Sequence, residues 1–256
     1  MEAAVDKTEA LLETIFSDDH KPVRKVGRSM YGTGHAVSHP SAKTPSGIVR
    51  ARSPLMADGL LHLDTDPNVM RISPYPTVEL VWSALDGEAR AKVEHIPDVA
   101  ILTRDDRVVF IDYVEVVFQR ATKDFDRLVA ERVRHYREEL GCAYSVLDER
   151  SIRAEPRMSN LRLMWTHRSR PTEPQSLAHA RQALRLASLP CSIRAVSDSA
   201  DIARQGIVWD GDDRPTLIDE TDLVFTAVMQ LAMRGEVRLD LGLPLTLDST
   251  IHEVGK

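Results

Sequence analysis

Glu-Ala-Arg-Ala-Lys-Val-Glu-His-Ile-Pro-Asp-Val-Ala-Ile-Leu-Thr-Arg-Asp-Asp-Arg-Val-Val-Phe-Ile-Asp-Tyr-Val-Glu-Val-Val, residues 88–117, is the stretch that decides the fold. Polar and apolar residues alternate from Glu88 to His95, an apolar run extends from Val99 to Leu102, and β-branched and aromatic residues fill Val108 to Val117. These patterns predict three consecutive strands, with a tight turn at residues 104–107 between the last two. We therefore expect a chain organised around a sheet.

Two aspartates lie at the ends of these predicted strands. Asp98 follows Pro97 where one strand ends and the next begins, and Asp112 lies in the neighbouring strand. Acids on adjacent antiparallel strands can converge on one divalent cation, because Mg²⁺ binds carboxylate oxygens, water and phosphate. The sequence predicts that Asp98 and Asp112 share a cleft and, in an active enzyme, hold Mg²⁺ or Mn²⁺. The alternative is that both are solvated acids at a strand edge and beside a turn.

Further motifs follow these aspartates in a fixed order. The relevant runs are His95-Ile96-Pro97-Asp98, Phe110-Ile111-Asp112, Gly141-Cys142-Ala143-Tyr144-Ser145-Val146, Asp148-Glu149-Arg150-Ser151-Ile152 and Asn160-Leu161-Arg162-Leu163-Met164-Trp165. Together they resemble the PD-(D/E)xK restriction-endonuclease superfamily and, more narrowly, the TnsA-type endonuclease subunits of heteromeric transposases. The resemblance implies an α/β fold with a mixed central sheet flanked by helices, followed by a small helical, winged-helix-like C-terminal domain.

Two positions depart from that family's pattern. The lysine expected two residues after the second acid is Val114 here, and the family's catalytic glutamate corresponds to Met56 in the run Ala51-Arg52-Ser53-Pro54-Leu55-Met56. In the family the lysine positions and activates the attacking water, whereas valine carries no charge and donates no hydrogen bond. The resemblance therefore implies a degenerate site with weak or absent hydrolysis. Lys92, on the strand next to Asp98, is the nearby lysine that could act as a substitute base.

The predicted domains are an N-terminal helix and basic arm at residues 1–45, an endonuclease-like domain at residues 46–170 and a winged-helix-like domain at residues 171–256. Within the first, Asp6–Phe16 is expected to form a helix and residues 23–46 a loop, either solvated or folded along phosphates.

The last domain is expected to contain a helix, a strand and a second strand. The helix is predicted at Leu223–Arg234, the first strand at Glu236–Leu241 and the start of the second at Pro244-Leu245. Its acidity favours contact with a protein over reading of a DNA groove.

Charge is distributed unevenly along the chain. The total is 33 basic against 39 acidic residues, a net charge of −6. Lys21–Arg52 contains seven basic residues and no acid, whereas the segment from Leu186 to the end contains six basic and twelve acidic residues. Because phosphate binding depends on Lys and Arg, a DNA-facing first two-thirds is compatible with the acidic total.

The predicted DNA contacts are mostly basic residues, and arginine in particular recognises phosphate through its planar fork. For each of them the plainer alternative is a solvated surface charge or, for the histidine, a structural side chain. The predicted contacts are Arg24, Lys25, Arg28, Lys43, Arg50, Arg52, Lys92, His95, Arg150, Arg153 and Arg157.

Composition limits the classes of protein that remain. Cys142 and Cys191 lie at no metal-like spacing, which indicates reduced thiols and no structural zinc. No apolar run is long enough to span a bilayer, and the charged start is unlike a signal peptide. We expect a protein of the bacterial cytoplasm with no membrane partner.

Three functions stay open at this point. The first is a TnsA-like subunit that binds DNA with little or no hydrolysis, for which the resemblance implies a DDE-type transposase and an ATP-dependent regulator as partners. The second is a working Mg²⁺-dependent endonuclease that uses Asp98 and Asp112, with Glu79, Glu88 or Lys92 replacing the lost groups. The third is a DNA-binding regulator on the same fold that has no transposase partner.

Overall fold

The computed structural model of the protein describes residues 2–27, 36–83, 91–170, 172–200, 205–209 and 216–255. The chain divides into two compact units, Met1–Ala154 and Glu155–Lys256. The predicted boundary before the last domain lies at residue 170, whereas the boundary between the two units lies after Ala154. Arg157 and the helix that it begins therefore lie in the second unit and not in the first. No helix among the described residues combines the length and the apolar character that crossing a bilayer requires.

The first unit is built on a mixed four-stranded sheet. Its helices are α1 (Glu2–Ile15), α2 (Pro54–Thr65), α3 (Val116–Ala121), α4 (Phe125–Leu140) and α5 (Glu149–Ile152). Its strands are β1 (Val37–Pro40), β2 (Ile48–Ala51), β3 (Val69–Pro74), β4 (Glu79–Ser83), β5 (Ala91–His95), β6 (Val99–Thr103), β7 (Val108–Tyr113) and β8 (Ala143–Leu147). The central sheet has the order β3-β6-β7-β8, and β1–β2 and β4–β5 are separate antiparallel pairs.

The central sheet is antiparallel from β3 to β7, and β8 joins it parallel to β7. This confirms the predicted α/β fold with a mixed central sheet flanked by helices, and the arrangement is compatible with a nuclease-like fold. The predicted pairing of the strands that follow Asp98 and contain Asp112 is also confirmed, because Val99 lies opposite Ile111.

Alternating side chains of β6 and β7 bury both faces of this sheet. Val99, Ile101, Ile111 and Tyr113 share one core with Leu55, Met56 and Leu60 of α2. Ala100, Val108 and Phe110 share the other core with Tyr136 of α4 and Ile15 of α1. Asp112 lies between Ile111 and Tyr113 in the sequence, so its side chain belongs to the α4 face.

Helix α2 approaches the sheet unusually closely at Gly59. It begins after Ser53, whose hydroxyl accepts a hydrogen bond from the Met56 amide at 3.2 Å, and Pro54 occupies its first turn. A Cβ atom added at Gly59 would lie 2.0 Å from Cε1 of Tyr113. Only glycine therefore permits this contact, which fixes the middle of α2 against the end of β7.

The predicted strand that continued to Val117 is wrong. Strand β7 ends at Tyr113, and helix α3 begins at Val116. The Val114 amide still donates to the Leu147 carbonyl at 3.0 Å, but the Val116 amide donates to Oε2 of Glu149 at 2.9 Å. This side-chain acceptor satisfies an N-terminal amide of the helix, so tertiary context overrides the β preference of the valines.

Part of the predicted N-terminal loop is also wrong. Val37–Pro40 forms β1 and pairs antiparallel with β2, although its sequence has no strand-like alternation. The Ser41 amide donates to the Gly47 carbonyl at 3.0 Å, and Gly47 has a φ of 69° that favours glycine. In the sequence, the turn between β1 and β2 is therefore easier to predict than β1 itself. Residues 28–35 of the predicted arm lie outside the described residues.

The second unit contains helices α6 (Arg157–Thr166), α7 (Gln175–Leu186), α8 (Ile193–Ser199) and α9 (Leu223–Arg234). Its strands are β9 (Cys191–Ser192), β10 (Gln205–Trp209), β11 (Thr216–Thr221), β12 (Val237–Arg238) and β13 (Thr250–Glu253). Strands β12, β13 and β9 form one sheet in that order, and β10 pairs with β11.

Helix α9 has the predicted bounds, whereas the strands that follow it differ from the prediction. The first is shorter than Glu236–Leu241, and the second is Thr250–Glu253 instead of a strand that starts at Pro244-Leu245. Pro244 has no amide hydrogen for a sheet ladder, which favours the loop observed there. The winged-helix assignment stays a prediction.

Candidate functional site

Asp98 and Asp112, here called the carboxylate pair, lie where β6 begins and β7 ends. Asp98 is one residue beyond the registered pair of Val99 and Ile111, so it faces Asp112 across the two strands. The Asp98 amide donates to Oδ1 of Asp112 at 3.0 Å, and the Tyr113 amide donates to Oδ2 of Asp98 at 2.9 Å. The structure thus brings the two predicted aspartates together. They are only 1% and 4% exposed, so they lie in the interior rather than in an open cleft.

Arg52 covers Asp98 with a bidentate ion pair. This arginine lies between β2 and the N-cap of α2, 46 residues before Asp98 in the sequence. Its Nε donates to Oδ1 of Asp98 at 2.5 Å, and its Nη2 donates to Oδ2 at 2.8 Å. The same Nη2 also donates to the Tyr113 carbonyl at 2.9 Å. The fork therefore fixes Asp98 and the end of β7 together.

Asp112 receives a second set of donors, from the α4 side of the sheet. Its Oδ2 accepts from the Tyr144 hydroxyl at 2.6 Å, from Nε2 of His95 at 2.8 Å and from Nη1 of Arg132 at 3.1 Å. An ionised carboxylate only accepts, so Nε2 of His95 carries the hydrogen. Nδ1 of His95 lies 3.0 Å from the Tyr136 hydroxyl, and the rings of Tyr136 and Tyr144 stack with centroids 5.1 Å apart.

These contacts and the burial of the pair shift the pKa values of the two carboxyl groups in opposite directions. Burial acts to raise the pKa of Asp112, but the hydrogen bonds from His95 and Tyr144 and the charge of Arg132 outweigh it and hold the pKa below its ordinary value. Burial raises the pKa of Asp98, and Arg52 offsets this only in part. Burial also acts to lower the pKa of the Arg52 guanidinium, yet the hydrogen bond to Asp98 outweighs it, so Arg52 stays charged.

The two positions at which the resemblance predicts a glutamate and a lysine hold apolar side chains, Met56 and Val114. Met56 is fully buried, and its Sδ accepts from the Tyr75 hydroxyl at 3.2 Å and from the Arg52 amide at 3.4 Å. Val114 is held by its backbone, because its carbonyl accepts from Nε2 of Gln119 at 2.8 Å. Neither side chain offers the oxygen ligand that Mg²⁺ requires or a group that could activate a water molecule.

A divalent cation does not fit the carboxylate pair as it is arranged. Mg²⁺ requires several oxygen ligands at short distances in octahedral geometry. Both oxygens of Asp98 accept from Arg52, and both oxygens of Asp112 accept from protein donors. A cation at Asp98 would have to displace the guanidinium, which already supplies the positive charge.

Compared with known proteins, the chain matches no family model and no curated sequence. The carboxylate pair and the charged surface around it are therefore the features from which a function is proposed.

Two of the predicted DNA contacts, the half-buried Lys43 and the buried His95, have their polar atoms bound within the protein. Nζ of Lys43 donates to the carbonyls of Leu63 and Asp66 at 2.8 and 2.6 Å, at the C-terminal end of α2, and burial lowers its pKa to about 8. Both ring nitrogens of His95 have protein partners in the buried network described above. In this arrangement Lys43 stabilises a helix end and His95 positions Asp112.

The other predicted contacts lie nearer the surface, and several have partners there. Arg150 pairs with Asp148 at 2.7 Å, and Arg153 pairs with Asp58 at 2.7 Å. Nζ of Lys92 lies 5.2 Å from the centre of the Trp82 ring, and the guanidinium carbon of Arg24 lies 5.8 Å from that of Tyr75. The side chains of Lys25, Arg50 and Arg157 are exposed, and Arg28 lies outside the described residues.

Glu79, one of the two acids proposed as replacements in an active enzyme, is hydrogen-bonded to His135 and not to the carboxylate pair. Oε2 of Glu79 lies 3.0 Å from Nε2 of His135. Glu88 lies outside the described residues.

Sequence reasoning missed a surface cleft that contains three arginines. This arginine cleft is lined by Val116, Gln119, Arg120, Thr122, Asp124, Phe125, Asp126, Arg127 and Arg150. Strands β7 and β8 are parallel, so the segments that follow both of them emerge at one edge of the sheet, the edge at which Asp112 lies. The cleft could have been predicted from the positions of Arg120 and Arg150, each of which follows shortly after one of two adjacent parallel strands.

Arg132 and Tyr144 were missed as well. Arg132 lies one turn before the buried Tyr136 on α4, so both side chains lie on the sheet side of the helix. An arginine on an otherwise apolar helix face indicates a buried acid opposite it.

Proposed function

We propose that this protein is a TnsA-like, endonuclease-fold subunit that binds DNA within a transposition or recombination complex and does not hydrolyse it. The observation that carries this proposal is the fork from Arg52 to Asp98, with Met56 and Val114 at the positions of the family's glutamate and lysine. The pair of aspartates that would bind a metal in an active relative is instead neutralised by arginine.

Hydrolysis of a phosphodiester requires an activated water molecule and stabilisation of the developing negative charge. At this site the carboxylate pair is buried, and its oxygens accept hydrogen bonds from protein donors. Among the described residues, the basic side chains at the pair are Arg52, Arg132 and His95, and each of them already binds one of the two aspartates. These features support a role in which the fold serves to bind DNA and partners and not to catalyse hydrolysis.

Binding to DNA is supported by the arginine cleft. Arg120 and Arg127 make no ion pair with any residue in the part of the chain that the structure describes, so their charges are available to phosphates. They follow β7, the strand that ends beside Asp112, so their charges lie on the same edge of the sheet as the carboxylate pair. We propose that the cleft contacts the backbone of a duplex.

The second unit is proposed to be a winged-helix-like domain that contacts a protein. Apart from the additional pair β10–β11, its elements run helix, helix, strand, helix, helix, strand, strand, and the sheet order is β9-β13-β12. Most residues of α9 are buried, which suits a core helix better than a helix inserted into a groove. We propose a DDE-type transposase as its partner, with an ATP-dependent regulator in the same complex.

Nicking of supercoiled plasmid tests the absence of hydrolysis. The wild-type protein, incubated with Mg²⁺ or Mn²⁺, is expected to leave the plasmid supercoiled, as is the Asp98→Ala variant. Nicking by the wild type that disappears in Asp98→Ala would overturn the proposal in favour of a working endonuclease.

Fluorescence anisotropy of a labelled duplex, measured at several salt concentrations, tests the arginine cleft. The double variant Arg120→Gln/Arg127→Gln should bind more weakly, and the slope of log K against log salt should fall by about 2. Arg107→Gln is the matched control, because Arg107 is exposed at the β6–β7 turn, at the opposite end of these strands. Equal losses in both variants would contradict a specific role for the cleft.

Co-expression with a transposase encoded by a neighbouring gene tests the partner. Co-purification that requires residues 155–256 is the expected result. Binding of DNA without any transposase partner would favour the regulator instead.

A further inference from the structure

We propose that the Arg52 guanidinium acts as a built-in cation: it takes the structural place of a divalent metal at the carboxylate pair, and its removal exposes a site for Mg²⁺ or Mn²⁺. The inference rests on the proposed function only for the comparison with a metal-dependent site. Its geometric basis is independent of DNA and of any partner.

The first argument is the set of atoms that the guanidinium joins. Arg52 contacts Oδ1 and Oδ2 of Asp98 and the carbonyl oxygen of Tyr113, all within 2.5–2.9 Å. Two carboxylate oxygens and a backbone carbonyl are hard oxygen ligands of the kind that Mg²⁺ and Mn²⁺ bind. One cationic group thus occupies a set of oxygens that a metal ion could share.

The second argument is that the pair needs a positive charge. The side chain of Asp98 is 1% exposed, and the neighbouring Asp112 acts in the same direction as burial to raise its pKa. Arg132 lies on Asp112, not on Asp98. Without Arg52, Asp98 would be an unpaired buried carboxyl group, which is strongly unfavourable when ionised.

The third argument is access. Unlike the two aspartates, Arg52 keeps 37% of its side chain exposed, so the guanidinium lies between Asp98 and solvent. Truncation of Arg52 would open a path from solvent to the oxygens that it now covers. A hydrated cation could reach them there, whereas none can enter while the guanidinium is present.

The inference predicts three distinct responses of thermal stability to metal. The full-length wild type should have the same Tm, within about 1 °C, in EDTA and in millimolar MgCl₂ or MnCl₂. Arg52→Ala should have a clearly lower Tm in EDTA, and MnCl₂ should raise it by about 5 °C or more. The double variant Arg52→Ala/Asp98→Asn should show no such rise, because the amide removes the anionic ligand.

Arg52→Lys and Arg52→Gln complete the set. Lysine keeps the charge as a single ammonium, so that variant should fold without a metal response. Glutamine keeps part of the stem without charge and should respond to Mn²⁺, which gives a second readout if Arg52→Ala does not fold in EDTA. Mn²⁺ binding is checked directly by electron paramagnetic resonance on Arg52→Gln and the wild type.

A rise in wild-type Tm with Mg²⁺ or Mn²⁺ would overturn the inference, because the site would then accept a cation with Arg52 in place. The inference would also be overturned if Mn²⁺ neither bound nor stabilised Arg52→Ala and Arg52→Gln, the two variants without a charge at position 52. These results are separate from the nicking and DNA-binding assays, so failure of the built-in cation leaves the proposed function standing, and the reverse also holds.

Discussion

Asp112→Asn is the substitution that tests the buried network most directly. Asparagine keeps the shape of the side chain but removes the charge that faces Arg132 and places an amide among the donors of His95 and Tyr144. Loss of one partner from a buried ion pair costs about 3–5 kcal/mol. Because the Arg132 side chain is 20% exposed and remains partly hydrated, we expect a loss of about 3 kcal/mol, at the lower end of that range.

Urea unfolding followed by circular dichroism measures this loss. With a slope of about 2 kcal/mol per M, the unfolding midpoint of the first unit should fall by about 1.5 M. Asp106→Asn is the matched control, because Asp106 is exposed at the β6–β7 turn and its φ of 58° suits asparagine. Its midpoint should stay at the wild-type value.

The pH dependence of the same measurement gives the sign of the effect. Despite burial, the network holds the pKa of Asp112 below the value it has in the unfolded chain. The stabilisation is therefore fully present above about pH 4 and is lost as pH falls through the lower, folded-state pKa. The difference between wild type and Asp112→Asn should shrink in that acid range. Equal stability of the two proteins at neutral pH would refute the reasoning, as would a difference that stays constant down to pH 2.

Three further predictions concern residues around the site. The Tyr113 hydroxyl is buried without a hydrogen-bond partner among the described residues, so Tyr113→Phe should leave the free energy of unfolding unchanged or raise it by about 1 kcal/mol. Gly59→Ala should lower the free energy of unfolding by about 2 kcal/mol or more in urea titrations, because its Cβ would overlap the Tyr113 ring; a wild-type midpoint would contradict the close contact. The pKa of Lys43 is lowered to about 8 in the folded protein. Between that pH and the higher pKa that lysine has in the unfolded chain, the unfolded chain binds more protons than the folded one, so the free energy of unfolding rises with pH. That rise should be smaller in Lys43→Met, and equal pH profiles would exclude the assigned shift.

Local patterns in the sequence predicted the elements that surround the site. The helical spacing of apolar residues predicts a helix from about Asp124 to Leu140, which is α4, and Gly141 at its end has a left-handed φ of 61° that suits glycine. Strands β6 and β7 were recognised from their composition and the turn between them. The meeting of Asp98 and Asp112 followed from that hairpin, because opposite residues of antiparallel strands are neighbours.

The partners of the two aspartates could not be predicted in the same way. Arg52 reaches Asp98 across 46 residues, and Arg132 reaches Asp112 across 20. No periodicity links residues at such separations. From the sequence alone Arg52 is therefore interpreted as a DNA contact, and the charged face of the predicted helix that contains Arg132 is interpreted either as a solvated surface or as a phosphate-binding one. The same limitation explains the error at Val116, where the decisive acceptor is Glu149, a residue of another helix.

The fork between Arg52 and Asp98 also limits how descendants of this chain can change. Exchange of Arg52 for glutamate alone would add a carboxylate beside the buried aspartates and remove their counter-charge. Exchange of Met56 for glutamate alone would bury an acid where a thioether now packs. Each single replacement would lower the stability of the fold. Neither alone would restore hydrolysis, since that would need several replacements together. Under the proposed function, hydrolysis could therefore arise at this site only if several of these replacements occurred together.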